Sequence, residues 1–131
     1  MIYLTGDTHI PIDIHKIAAS QWSDQMNMSK DDYLIVCGDF GLLFNYSETG
    51  KSLPSCPEDN CWDKEELWWL NWLEERPFTT LFVDGNHENY DRLKKYPATE
   101  WNGGKVQMIS DSVIHLMRGQ VYQIDNRSIF T

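Results

Sequence analysis

Three apolar runs in this chain end in the same way, and that repetition limits the fold more than any other feature. Residues 80 to 91 read TLFVDGNHENYD, an apolar stretch that breaks into Asp84, Gly85, Asn86, His87 and Glu88. The N-terminal IYLTGDTH has the same form, with a glycine followed by Asp7 and His9, and YLIVCGDF at 33 to 40 repeats it with Asp39. Continuous apolar runs of this length suit strands covered on both faces. Parallel strands deliver their C-terminal ends to one edge of a sheet, where ligands bind. The three polar clusters are therefore expected to converge.

The segments between the runs fit this reading. Ile14, Ile17, Ala18, Trp22 and Met26 recur at helical spacing and predict a helix over 12–28. Asp63 with Glu66 forms a capping box that opens KEELWWLNWLEER, and Pro77 follows its end, so a second helix is expected there. Its Trp68, Trp69 and Trp72, with Leu67, Leu70 and Leu73, form a wide apolar face that reads as core rather than as a ligand site. Strand, helix, strand, helix, strand argues for right-handed crossovers and a parallel sheet. A short helical stretch, YDRLKKY, ends at Pro97. The remainder, with runs separated by SDS, RG and DN, reads as an antiparallel meander. From Gly41 to Cys61 the chain has little periodicity and reads as a long loop of the kind that often borders a site. TGKS at 49–52 echoes a phosphate-cradling loop, but Asn45 stands where that loop needs a glycine and no strand directly precedes it.

Composition narrows the partners. The 131 residues suit one domain, and eleven basic against twenty acidic residues give a formal net charge of -9. Such a surface repels long nucleic acid and anionic membranes. No window has the length of a transmembrane helix and the start lacks a signal-peptide pattern, so a cytoplasmic location is the default expectation. The three cysteines are an odd number for a disulfide framework. Cys37 reads as a small buried thiol. Cys56 and Cys61 could pair or join a metal, and free thiols are the favoured reading.

On a strand, residues two apart share a side, so Asp7 and His9 can face one cavity. Asp39 adds a carboxylate, Asn86 an amide oxygen and His87 an imidazole. Each cluster alone is an ordinary turn or helix cap, but three in register point to a site. Oxygen and imidazole donors without thiolate suit Mn, Fe or Zn. His15 and His115 read as histidines without chemistry.

In their order, GDTH, CGDF and GNHE resemble the D-x-H, G-D and G-N-H-[DE] motifs of the calcineurin-like metallophosphoesterases. The match runs from the first residue to about Asn89, and WNGGKVQMI and IHLMRGQVYQI also look like bacterial members. The resemblance implies an α/β fold, the N-terminal portion of a layered α/β/β/α sandwich with a parallel βαβαβ unit and then an antiparallel meander. It implies a hydrolase acting on a small phosphate mono- or diester. Asp7 and His9 would bind one metal ion, Asp39 would bridge to a second, Asn86 would bind the second, and His87 would act on the substrate phosphate or leaving group. Two divalent ions about 3.5 to 4 Å apart would clamp the ester and activate a bridging water. With Asp7 and Asp39 as the anionic ligands, the pair keeps a surplus of about +2 for a phosphate dianion.

The family also carries downstream histidines in G-H and G-H-x-H motifs, and these 131 residues contain neither. His115 lacks the preceding glycine. Three ligands remain for one ion and two for the other, so the expectation is one weakly bound ion or none, with little turnover. Residues 1–131 would then be a C-terminally incomplete domain. It would be part of a longer enzyme, or an inactive form acting by association, with self-association covering its apolar surface.

Overall fold

The apolar runs do form strands. The computed structural model describes residues 1–43 and 64–131. The Gly41–Cys61 loop beyond Leu43, TGKS, Cys56, Cys61 and the Asp63 cap lie outside them. Strands β1 (Ile2–Thr5), β2 (Tyr33–Cys37) and β3 (Thr79–Val83) pair in parallel, with Ile2 opposite Tyr33 and Tyr33 opposite Thr79. Helix α1 (Lys64–Glu74) precedes β3, and α2 (Tyr90–Leu93) follows it. Strands β4 (Ala98–Trp101) and β5 (Gly104–Met108) then lead to β6 (Val113–Leu116), which lies parallel to β3 and antiparallel to β5. Among the described residues this makes a six-stranded sheet of order β1-β2-β3-β6-β5-β4, with a separate hairpin of β7 (Val121–Ile124) and β8 (Arg127–Phe130).

Alternation along each strand divides the core in two. Leu34, Val36, Phe82 and Val113 face the helical side, packing with Ile14, Ile17, Trp69, Leu70, Leu73 and Phe78. Ile35, Leu81, Ile114 and Leu116 face the other side, where Tyr122 and Ile124 of the hairpin cover them. Gly104 leaves room for that hairpin, since a Cβ there would lie 2.6 Å from the Tyr122 ring. Asp125 and Asn126 turn it with φ of 50° and 58°, the left-handed pair that a tight hairpin needs.

The structure corrects three expectations. The segment 12–28 is two 3-10 turns, Ile14–Ile17 and Ser23–Asn27, and not one helix. Ala18 is extended there, and the buried Gln25 side chain donates to the carbonyls of Ile17 and Trp22, so a side-chain amide replaces the helical ladder. Ile14 and Ile17 are buried as expected, but Met26 is exposed. On α1 the buried positions are Glu66, Trp69, Leu70 and Leu73, a narrow i, i+3, i+4, i+7 stripe that leaves Leu67 and Trp68 in solvent. Cys37 is exposed, because the hairpin covers only part of its face of the sheet. The antiparallel strands follow as expected, in two sets: β4, β5 and β6 join the main sheet beside β3, and β7 pairs with β8.

Glu66 occupies the apolar stripe because it has a charged partner. Its Oε1 accepts from Arg92 Nη1 at 2.6 Å, and both side chains are buried. Arg92→Ala, which strips Glu66 of that guanidinium, is expected to destabilise the chain by about 3–5 kcal/mol in urea unfolding. The double variant Glu66→Leu/Arg92→Leu should recover most of the loss.

Candidate metal centre

Backbone bonds join the three strand ends into one body. The Asp7 N–H donates to Gly38 O at 3.2 Å, His9 N–H to Asp39 O at 2.9 Å, and the buried Thr8 hydroxyl to Phe40 O at 2.9 Å. Gly38 N–H in turn donates to Val83 O at 3.1 Å, and Asn89 N–H to Leu43 O at 3.1 Å. The loops after β1, β2 and β3 therefore cannot move independently.

Three residues of this body have left-handed backbones without being glycine: Asp7 at φ 50°, His9 at 37° and Asp39 at 45°. Each such conformation costs an L-residue about 1–2 kcal/mol. Strain of this kind persists only where the surroundings over-determine it, and it clusters at functional sites. Two glycines permit it. A Cβ on Gly85 would fall 2.0 Å from Asp39 Oδ1, and one on Gly41, itself at φ 80°, would fall 2.8 Å from Ile10 N. A side chain at 85 would expel the Asp39 carboxylate from its position.

That carboxylate is the centre of the group. Asp39 Oδ1 accepts the His87 N–H at 2.9 Å, while Oδ2 lies 3.0 Å from His87 Nδ1 and 3.3 Å from His9 Nε2. The hydrogen bonds from the His87 ring and backbone hold the Asp39 carboxyl below its usual range. His9, Asp39 and His87 each offer a ligand atom within 4.8 Å of the other two. The imidazole rings meet edge to face with centroids 5.3 Å apart. Asp13 Oδ2 lies 3.8 Å from the other nitrogen of His9, on the side where a carboxylate orients a ligating ring. Two imidazole nitrogens and a carboxylate oxygen at this spacing could hold a divalent metal ion.

The five residues singled out in the sequence are thus only partly gathered. His9, Asp39 and His87 meet directly. Asp7, on the His9 loop, is exposed and outside the triad, and Lys16 Nζ donates to its carbonyl oxygen at 3.0 Å. Asn86, beside His87, is exposed. The resemblance gave His87 to the substrate alone, and the geometry also puts its Nδ1 among the donors. His15 stacks edge-on against Trp69 and takes no part.

Sequence reading missed the work of Glu88. Its carboxylate is buried and accepts the N–H of Phe40 at 2.7 Å and of Gly41 at 3.4 Å, tying the third loop to the backbone directly after Asp39. The signal was present in GNHE, whose acidic residue follows two site residues directly. Burial pushes the Glu88 carboxyl up to about 7, against the backbone hydrogen bonds and with the help of the Asp39 charge. The folded chain therefore holds a proton that the unfolded chain releases at lower pH. The contribution of Glu88 to stability is full below the ordinary glutamate value of 4.5 and is lost as pH rises through about 7. Urea midpoints of the metal-free chain between pH 5 and 8 should show this decline, and Glu88→Gln should flatten it relative to the parent.

Among the described residues, no helix is long and apolar enough to cross a membrane. No match was found among curated proteins or among solved structures. The family model for calcineurin-like phosphoesterases matches residues 1–127. Nearly the whole chain, with its parallel strands and the His–Asp–His group at their ends, belongs to the calcineurin-like phosphoesterase family.

Proposed function

We propose that this chain is a metal-dependent phosphoesterase that hydrolyses a small phosphate mono- or diester at the edge formed by the ends of β1, β2 and β3. The observation that carries the reading is the His9, Asp39 and His87 group, with ligand atoms within 4.8 Å of one another on three strand-end loops. In this reading Asp7 and His9 would hold one divalent ion, Asp39 would be shared with a second and Asn86 would serve the second. Bound ions would supply Lewis acidity toward the phosphoryl oxygens and lower the pKa of water. The chain's own residues do the rest. Asp39, held as a carboxylate, fixes both rings, and His87 is within reach of the site to protonate a departing alkoxide.

The chain has four histidines, and two of them, His15 and His115, lie away from the triad. Three ligands for one ion and two for the other favour a single weakly held ion and slow turnover. Calorimetry with MnCl2 is expected to give about one ion per chain by this ligand count. The same sample should release p-nitrophenolate slowly from bis-p-nitrophenyl phosphate. Asp39→Asn should weaken binding by more than about 100-fold, the upper end for an outer-shell change, and abolish release. Turnover that survives Asp39→Asn would refute the role given to the bridge.

A second reading, association without catalysis, is favoured by one feature. Leu4 and Phe130 are 70% and 77% exposed. They border an open groove of about 670 Å³ on the hairpin side of the sheet, with Ile35, Cys37 and Val83 also in its wall. Self-association through this face predicts a dimer or larger species in light scattering at micromolar concentration, and Phe130→Ser together with Leu4→Ser should return it to monomer. A compact parent monomer would remove this reading.

A further inference from the structure

We infer that Asp84 is a positioning residue: with His115, Tyr90 and Arg118 it pins both ends of the loop that carries Asn86 and His87. The inference rests on the reading of that loop as part of a metal centre. Asp84 follows β3 directly and its side chain is buried. One carboxylate oxygen, Oδ1, lies 3.1 Å from His115 Nε2. The other, Oδ2, accepts from Tyr90 OH at 3.0 Å and from Arg118 Nε at 2.6 Å. Arg118 Nη2 also donates to the Tyr90 hydroxyl at 3.0 Å, and Tyr90 OH meets the carbonyl oxygen of Gly85.

Asp84 and Tyr90 are the residues on either side of the loop 85–89. A single junction therefore closes the loop at its base, and Asn86 and His87 sit at its rim. The junction is anchored on the sheet. His115 on β6 lies opposite Phe82 on β3 and stacks on its ring at 4.8 Å. Its Nδ1 is 2.8 Å from Gln107 Oε1 on β5, and Gln107 Nε2 donates to Leu93 O and Tyr96 O, both at 2.8 Å. The amide is thereby held with its oxygen toward the ring. A continuous line of contacts runs from the antiparallel half of the sheet to the base of the third loop.

Arg118 is the residue to vary first, since its side chain is 65% exposed while the Asp84 side chain it serves is 5% exposed. Removing it leaves the core untouched. Arg118→Gln is expected to retain the parent circular dichroism. Amide exchange of a peptide spanning 84–90 should become about 10-fold faster, and Mn2+ affinity by calorimetry should fall about 10-fold, the lower end for loss of an outer-shell support. Arg118→Lys keeps the charge but cannot reach Asp84 and Tyr90 together, so it should recover part of both effects. Asp84→Asn should give the larger loss if it folds. Unchanged exchange over 84–90 in Arg118→Gln overturns the inference, and so does unchanged Mn2+ affinity in a chain whose parent binds the ion. A parent that binds no Mn2+ refutes the metal reading instead, and the exchange measurement still decides whether the junction holds the loop.

Discussion

The Asp39 carboxylate holds the site together, and the fold around it exists to keep it in place. It accepts a backbone N–H from the third loop through Oδ1 and meets two imidazoles through Oδ2. Hydrogen bonds to a charged group contribute about 1.5–3 kcal/mol each, which is enough to offset the left-handed backbone at Asp39 itself. The offset depends on parallel β2 and β3 ending level, because Cys37 pairs with Val83 immediately before the two loops begin. Antiparallel pairing of the same strands would send Asp39 and His87 to opposite edges.

Much of this was legible in the sequence because it is local. An apolar run, a glycine and a cluster of polar donors are adjacent in the chain, and the parallel arrangement follows from the order of elements. What was not legible depends on partners far apart in the chain. Gln25 breaks the helix expected at 12–28 by supplying a hydrogen bond that no periodicity encodes. The capping-box reading of Glu66 gave no sign of its buried contact with Arg92, 26 residues on. His115 looked inert inside VIHLM, since its contact with Asp84 needs β6 to lie beside β3 in one particular register.

The two faces of the sheet differ in a way that bears on function. The helical side is closed by large apolar side chains over β2 and β3, so the loops above it have a stiff base. The hairpin side is closed over β5 and β6 by Tyr122 and Ile124 but leaves Leu4 and Cys37 open. Apolar surface of this kind on an edge strand and its neighbour favours a partner. The edge that carries the His9, Asp39 and His87 group does not share that exposed face, because Asp39, Glu88 and Thr8 are buried among the loops. The two proposed roles therefore use different surfaces.

Two aspartate–histidine contacts lie on either side of the third loop, and their surroundings differ. In the Asp39–His87 contact the carboxylate is buried and the imidazole is open, with the His87 side chain 51% exposed. Asp84 and His115 are sealed within the sheet, at 5% and 7%. Burial alone would raise the Asp84 carboxyl, but the bonds from His115 and Tyr90 and the Arg118 charge outweigh it and hold the group below its ordinary value. Burial likewise lowers the His115 pKa against the pull of Asp84. A sealed pair with every oxygen of the carboxylate engaged has no path to a substrate, so it can act only by holding its neighbours. The Asp39–His87 pair keeps such a path through its exposed imidazole, and the junction proposed at Asp84 would steady the loop that carries that imidazole.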